Sequence, residues 1–102
     1  MEDPKADLAK EIRIVDNPGE RRYEALLEDR VVGVSEYHLV GDQIIFLHTE
    51  VDPSVEGLGV GSRLAKGALD DVRQRGLKVV AECPFIAAWL KRHREYADLL
   101  AG

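Results

Sequence analysis

From Ile12 onward hydrophobic residues alternate with polar ones, and the period of that alternation marks out the elements. Ile12, Ile14 and Asp16 share one side of a first strand, which Asn17-Pro18-Gly19-Glu20 ends as a turn. Residues 23–27 and 31–39 predict a second and a third strand, joined as a hairpin through Glu28-Asp29-Arg30, and Gly41-Asp42 turns the chain into a fourth. The fourth strand, residues 43–51, carries Ile44, Phe46, His48 and Glu50 on one face and Ile45, Leu47, Thr49 and Val51 on the other. Both faces begin apolar, so this strand belongs in the middle of a sheet.

The period then changes. Asp52-Pro53-Ser54 breaks the strand, Gly57, Gly59 and Gly61 follow, and Leu64, Ala65, Ala68, Leu69 and Val72 form a helical stripe. Arg73 and Arg75 stand near the negative pole of that helix, and Gly76 suits a left-handed cap. Lys78-Val79-Val80-Ala81-Glu82 predicts a fifth strand, and a right-handed crossover through the helix makes strands four and five parallel. Pro84 opens a last helix with Ile86, Trp89, Leu90 and His93 on one side. The expected fold is α/β: a mixed sheet, antiparallel in its N-terminal strands, parallel between strands four and five, flanked by helices. Residues 1–11 are expected to form a flexible tail and residues 12–102 a single domain.

Composition narrows the function classes. A chain of 102 residues with 45% hydrophobic and 32% charged side chains suffices for one core and leaves little for a second domain. No apolar run approaches the roughly 20 residues of a spanning helix, and Met1-Glu2-Asp3-Pro4-Lys5 is neither a basic leader nor the start of a signal segment, so a cytoplasmic protein with no membrane partner is expected. The single cysteine, Cys83, excludes an internal disulfide and a cysteine-rich metal site, and no metal is expected. A net charge of −5 argues against nucleic acid as a partner. The oligomeric state expected is a monomer or a weak homodimer.

The charge is also segregated. Residues 60–94 carry eight basic against three acidic side chains, a net of +5, which leaves −10 for the rest. A local positive field beside a glycine-rich turn suits an anionic ligand. Glycines at alternate positions after a strand let backbone N–H groups converge on an anion at the start of a helix, where the dipole adds to the attraction. The Walker pattern fails, because Gly61 is followed by Ser62-Arg63. The dinucleotide fingerprint fails too: its sixth position is Ser62 counted from Gly57 and Leu64 counted from Gly59, and the chain opens with antiparallel strands.

The antiparallel strands, the segment Glu56-Gly57-Leu58-Gly59-Val60-Gly61, the amphipathic helix and the parallel fifth strand resemble the GCN5-related N-acetyltransferase superfamily. Its phosphate loop reads Gln/Arg-x-x-Gly-x-Gly/Ala; Glu56, Gly59 and Gly61 fall on those slots, with an acid in place of the first residue. The short chain, His48-Thr49-Glu50-Val51, Cys83-Pro84-Phe85, Ala87-Ala88-Trp89-Leu90 and Arg92-His93-Arg94-Glu95-Tyr96 resemble the compact, hundred-residue branch of that superfamily. The resemblance implies acetyl-coenzyme A as co-substrate, its pyrophosphate on Gly57, Leu58, Gly59, Val60, Gly61 and Ser62, and its pantetheine arm against the backbone of Val51. It implies an N-acetyltransferase acting by direct attack of an amine acceptor, a small molecule or a protein lysine. The alternative is a non-catalytic module that binds coenzyme A or an acyl-coenzyme A as a sensor.

Acetyl transfer needs a neutral amine, a donor for the developing oxyanion and a proton for the leaving thiolate. Glu50, at the end of the fourth strand, is the candidate base, with an ion pair to a neighbouring Arg or Lys as its structural alternative. His48 on the same face is an auxiliary proton acceptor or a half-buried strand histidine. Cys83, before a helix N-terminus, is either a reactive thiolate near the acetyl group or a small buried residue. Tyr96 is a candidate proton donor to the thiolate. Arg63, Lys66, Arg92 and Arg94 are candidates to face the coenzyme's phosphates, and Trp89 reads as core.

Overall fold

The computed structural model describes residues 11–101. The tail expected over residues 1–11 therefore lies, apart from Glu11, outside the described residues. Five strands form one sheet in the order β1-β2-β3-β4-β5: β1 Arg13–Asn17, β2 Arg22–Leu27, β3 Arg30–Val40, β4 Gln43–Val51 and β5 Lys78–Ala81. The first four run antiparallel and β5 lies parallel to β4, as the crossover rule requires. Two helices, α1 Val60–Gln74 and α2 Pro84–Arg92, lie side by side on one face, and a 3-10 segment, Arg94–Leu99, closes the chain against α1.

Helix α1 follows its stripe. Val60, Leu64, Ala65, Ala68, Leu69 and Val72 are buried against the sheet. Its C-terminus closes as the sequence foretells, with Gly76 at φ 69° donating to Arg73 O and Leu77 donating to Val72 O. Gly67 lies where α1 crosses β1; a Cβ there would come within 2.7 Å of Ile14. Beneath α1, Tyr23, Tyr37 and Phe46 form an aromatic cluster with ring centroids 5.3 to 6.4 Å apart. The hydroxyls of the two tyrosines converge near the last turn of α1. The Tyr23 hydroxyl donates to Asp71 at 2.6 Å, the Tyr37 hydroxyl donates to Asp16 at 2.5 Å, and Arg75 joins Asp16 and Asp71 at 3.2 and 3.4 Å.

That network predicts an alkaline limit to stability. Burial, followed by the bond to Asp16, pushes the Tyr37 phenol up to about 12. Burial and the bond to Asp71 raise Tyr23 further still. A raised folded-state value contributes stability that is complete below the ordinary phenol value of 10.0 and is lost as the pH rises through the folded values. The melting temperature is expected to fall from pH 10 upward, and a Tyr23→Phe, Tyr37→Phe double variant to show a shallower fall. Identical slopes in both proteins would remove the phenols as the cause.

One irregularity decides the chemistry. Glu36 pairs with His48 but Tyr37 pairs with Phe46, so Leu47 is an extra residue in β4. Partners across an antiparallel ladder share a face. Ile44, Phe46, Thr49 and Val51, paired with Leu39, Tyr37, Ser35 and Gly33, therefore all point to the helix side. Ile45, His48 and Glu50 point to the other side. The simple alternation expected over residues 43–51, which joined Ile44 and Phe46 to His48 and Glu50, is thus corrected: the bulge exchanges the faces halfway along the strand.

Candidate functional site

Strand β5 pairs with β4 only through residues 43–46, and Cys83 N–H closes the ladder on Phe46 O at 2.8 Å. Beyond that bond the chain of β5 turns into α2, and residues 47–51 of β4 have no strand partner on that side. The last residues of β4 thus run on past the end of β5 toward the glycine segment.

Just after β4, Asp52 caps a short 3-10 turn, Pro53–Val55, by accepting from Ser54 N–H at 2.9 Å. The amide and then the hydroxyl of Ser54 hold the Asp52 carboxyl below its usual range. Gly57 and Gly59 follow with φ of 89° and 71°, a conformation other residues adopt at a cost. Gly59 is the N-cap of α1. Gly61, expected in the loop ahead of the helix, is its second residue; a Cβ there would come within 2.8 Å of the Phe85 ring. Its smallness serves the packing of α2 on α1. Leu58 N–H donates to Val55 O at 3.2 Å, so that amide is already engaged. The amides that an α-helix start leaves without intrahelical partners belong to Gly59, Val60, Gly61 and Ser62.

Those amides line a cavity of about 330 Å³ shared by Val51, Glu56, Ser62, Phe85, Trp89 and Arg92. Arg92 is the one lining cation and Glu56 the one lining carboxylate. The other candidate cations lie elsewhere. Lys66 is joined to Asp70 at 2.8 Å, Arg94 lines a groove with Leu100 on the far side of α2, and Arg63 does not line the cavity. Trp89 is core, only 2% exposed, but its edge is also cavity wall, which the reading of its helix as a packing stripe alone misses. Phe85, Trp89 and Arg92 recur at i, i+4 and i+7 in α2, and that stripe was the available signal.

On the opposite face of β4, His48 Nε2 lies 3.0 Å from Glu50 Oε1, both side chains largely exposed. Glu50 thus has a histidine partner where a basic side chain was the expected alternative. A groove of about 570 Å³ lined by Val32, Val34, Glu50, Val51, Asp52 and Pro53 adjoins it. Cys83 is separated from this pair: it is 1% exposed and lies on the helix side, its Sγ 3.3 Å from Thr49 Oγ1, which is 3.0 Å from Ser35 Oγ. The Tyr96 hydroxyl donates to Asp70 at 2.6 Å, which raises its value, so it is engaged on the flank of α1 outside the cavity.

The sequence model of the GCN5-related N-acetyl-transferase family matches residues 22–99, from β2 to the end of the C-terminal 3-10 segment. The chain belongs to that family. Among curated relatives, mouse Protein NATD1 is 36% identical over 86 residues, covering 80% of this chain and 76% of its own. Protein NATD1 of Xenopus tropicalis is 33% identical over 91 residues, covering 85% and 82%. The human Protein NATD1 is 41% identical over 66 residues, a match that spans 57% of its length. A GCN5-like protein of Staphylococcus aureus, solved by NMR, superposes with a TM-score of 0.68 over 90% of both chains at 26% identity.

For a member of the GCN5-related N-acetyltransferase family, the departure at Glu56 has a measurable consequence. A carboxylate on the cavity wall would oppose an anionic ligand, and its exposure limits the size of the effect. Glu56→Gln is expected to tighten coenzyme A binding about threefold at low salt, with the gain fading at high salt. Weaker binding by calorimetry would mean that the acid supports the turn more than it repels phosphate.

Proposed function

We propose that this protein is an acetyl-coenzyme A-dependent N-acetyltransferase that passes the acetyl group directly to an amine. The observation that carries the reading is the end of β4 that β5 leaves without a parallel partner, with the amide cradle on one side of Val51 and Glu50, paired with His48, lining the groove on the other. The cradle fits a pyrophosphate: four amides, the Ser62 hydroxyl and Arg92 are all donors, and Gly59 keeps the approach open, since a Cβ there would meet no atom within 4 Å. When bound, the thioester supplies the activated acetyl group. Val51 borders both the cradle and the groove, so the pantetheine arm and the acceptor are brought to the same strand end.

Glu50 takes the proton of the incoming ammonium or amine, and His48 holds the carboxylate in place and shares the charge. The groove favours a cationic acceptor, because Glu50 and the anionic Asp52 stand over the apolar floor of Val32, Val34 and Pro53. Direct attack is favoured over a relay through Cys83, whose thiol is enclosed and bonded to Thr49. The test is release of free thiol from acetyl-coenzyme A by the purified chain across a panel of primary amines. Amine-dependent release supports transfer. Tight coenzyme A binding with no release for any amine would favour a sensor instead.

A further inference from the structure

The donor set at the start of α1 contains one member that backbone geometry does not explain. Ser62 is the third residue of the helix, and its Oγ receives a hydrogen bond from Trp89 Nε1 at 3.0 Å. An indole nitrogen only donates, so Ser62 Oγ is the acceptor and its own proton must go elsewhere. A serine in a helix ordinarily turns that proton back onto a carbonyl of the preceding turn. Here Ser62 is exposed on the cavity wall, and its side chain makes no second bond among the described residues.

Trp89 is held where it can impose this. The ring is buried, stacked on His93 with centroids 3.7 Å apart at 13°, and it meets the edge of Tyr96 at 5.1 Å. His93 is fixed in turn by Nδ1, 2.8 Å from Trp89 O. A buried indole needs an acceptor in any case. What distinguishes this one is that the acceptor sits at the open N-terminus of another helix, beside four free amides and Arg92.

We propose that Trp89 is a positioning residue for the coenzyme's phosphates: by occupying the acceptor side of Ser62 Oγ, it turns the hydroxyl proton into the amide cradle as one further donor. This rests on the coenzyme reading of the cavity. Helix α2 then contributes to recognition at two points of one stripe, Arg92 by charge and Trp89 through Ser62. A donor that needs no reorientation when the ligand arrives costs less to engage than a free rotor.

Calorimetry with coenzyme A on the full chain tests the assignment. Ser62→Ala removes the donor and is expected to weaken binding roughly tenfold, the scale of one hydrogen bond to a charged group. Trp89→Phe should weaken it by a similar factor. Because both changes remove the same interaction, the double variant should bind no worse than the weaker single variant. A purely structural role for Trp89 would make the two losses multiply, and that result overturns the proposal. So would unchanged affinity in folded Ser62→Ala.

The chain has a single tryptophan, so biosynthetic replacement of tryptophan by 3-benzothienylalanine alters position 89 alone. That analogue keeps the ring size and loses only the N–H, which decides the question if Trp89→Phe fails to fold. Weakened binding in the analogue supports the assignment and unchanged binding overturns it. A wild type that binds no coenzyme A would overturn this inference together with the proposed function, whereas a binding wild type with unaffected variants would overturn this inference alone.

Discussion

Glu50→Gln is expected to lower amine acetylation about 10²-fold or more while leaving coenzyme A affinity unchanged, because a general base contributes on that scale. The substitution is close to isosteric, and the amide can still accept from His48, so the strand end keeps its shape. What disappears is the capacity to take a proton. The pH profile of turnover should lose its acid limb, since that limb reports the group that must be ionised. Glu50 faces away from the helices and from the cavity proposed for the coenzyme, which is why binding and turnover should separate. A loss of affinity as large as the loss of rate would show that Glu50 shapes the cavity. Full activity would leave the amine to lose its proton to solvent.

Gly59→Val should weaken coenzyme A binding by about 10²-fold or more, as two or more charge-assisted hydrogen bonds are lost together. Two effects are mixed in that variant. Valine at a φ of 71° carries a left-handed strain of about 1–2 kcal/mol, and its side chain would stand in the cradle. Gly76 separates them. It has nearly the same φ, 69°, and a Cβ there would likewise meet nothing within 4 Å, but it caps the far end of α1. Gly76→Val should therefore lose comparable stability in denaturant titration and keep its affinity for coenzyme A. Equal affinity losses in the two variants would assign the effect to helix strain and remove the cradle as the binding element.

The β2–β3 hairpin, the interior place of β4, the parallel crossover and the place of α1 were legible because each follows from local periodicity, turn residues and a handedness rule. The family was legible from the loop and from strings spread along most of the chain. The faces of β4 were not. Nothing in residues 43–51 marks Leu47 as extra, because a bulge is a property of register against β3 rather than of the strand itself. The charges were legible only as a total: residues 60–94 carry the excess of cations, but Lys66 and Arg73 are joined to Asp70 and Asp98, and Arg92 alone lines the cavity. The bond between Trp89 and Ser62 joins positions 27 apart on two helices, a distance over which no local pattern speaks.

The extra residue at Leu47 also bears on how the chain's descent should be read. A β4 of the same length with no bulge would carry the alternation through Leu47 and turn His48 and Glu50 toward the helices, beside Thr49's present neighbours, whereas a strand lacking residue 47 would reach their present faces through a regular ladder. The bulge therefore absorbs a change of one codon at that place and holds the pairings Glu36–His48 and Val34–Glu50 as they are. A relative one residue shorter there presents the acid on the same face with no bulge, so an alignment that closes the gap at Leu47 pairs residues that stand on opposite sides of the sheet.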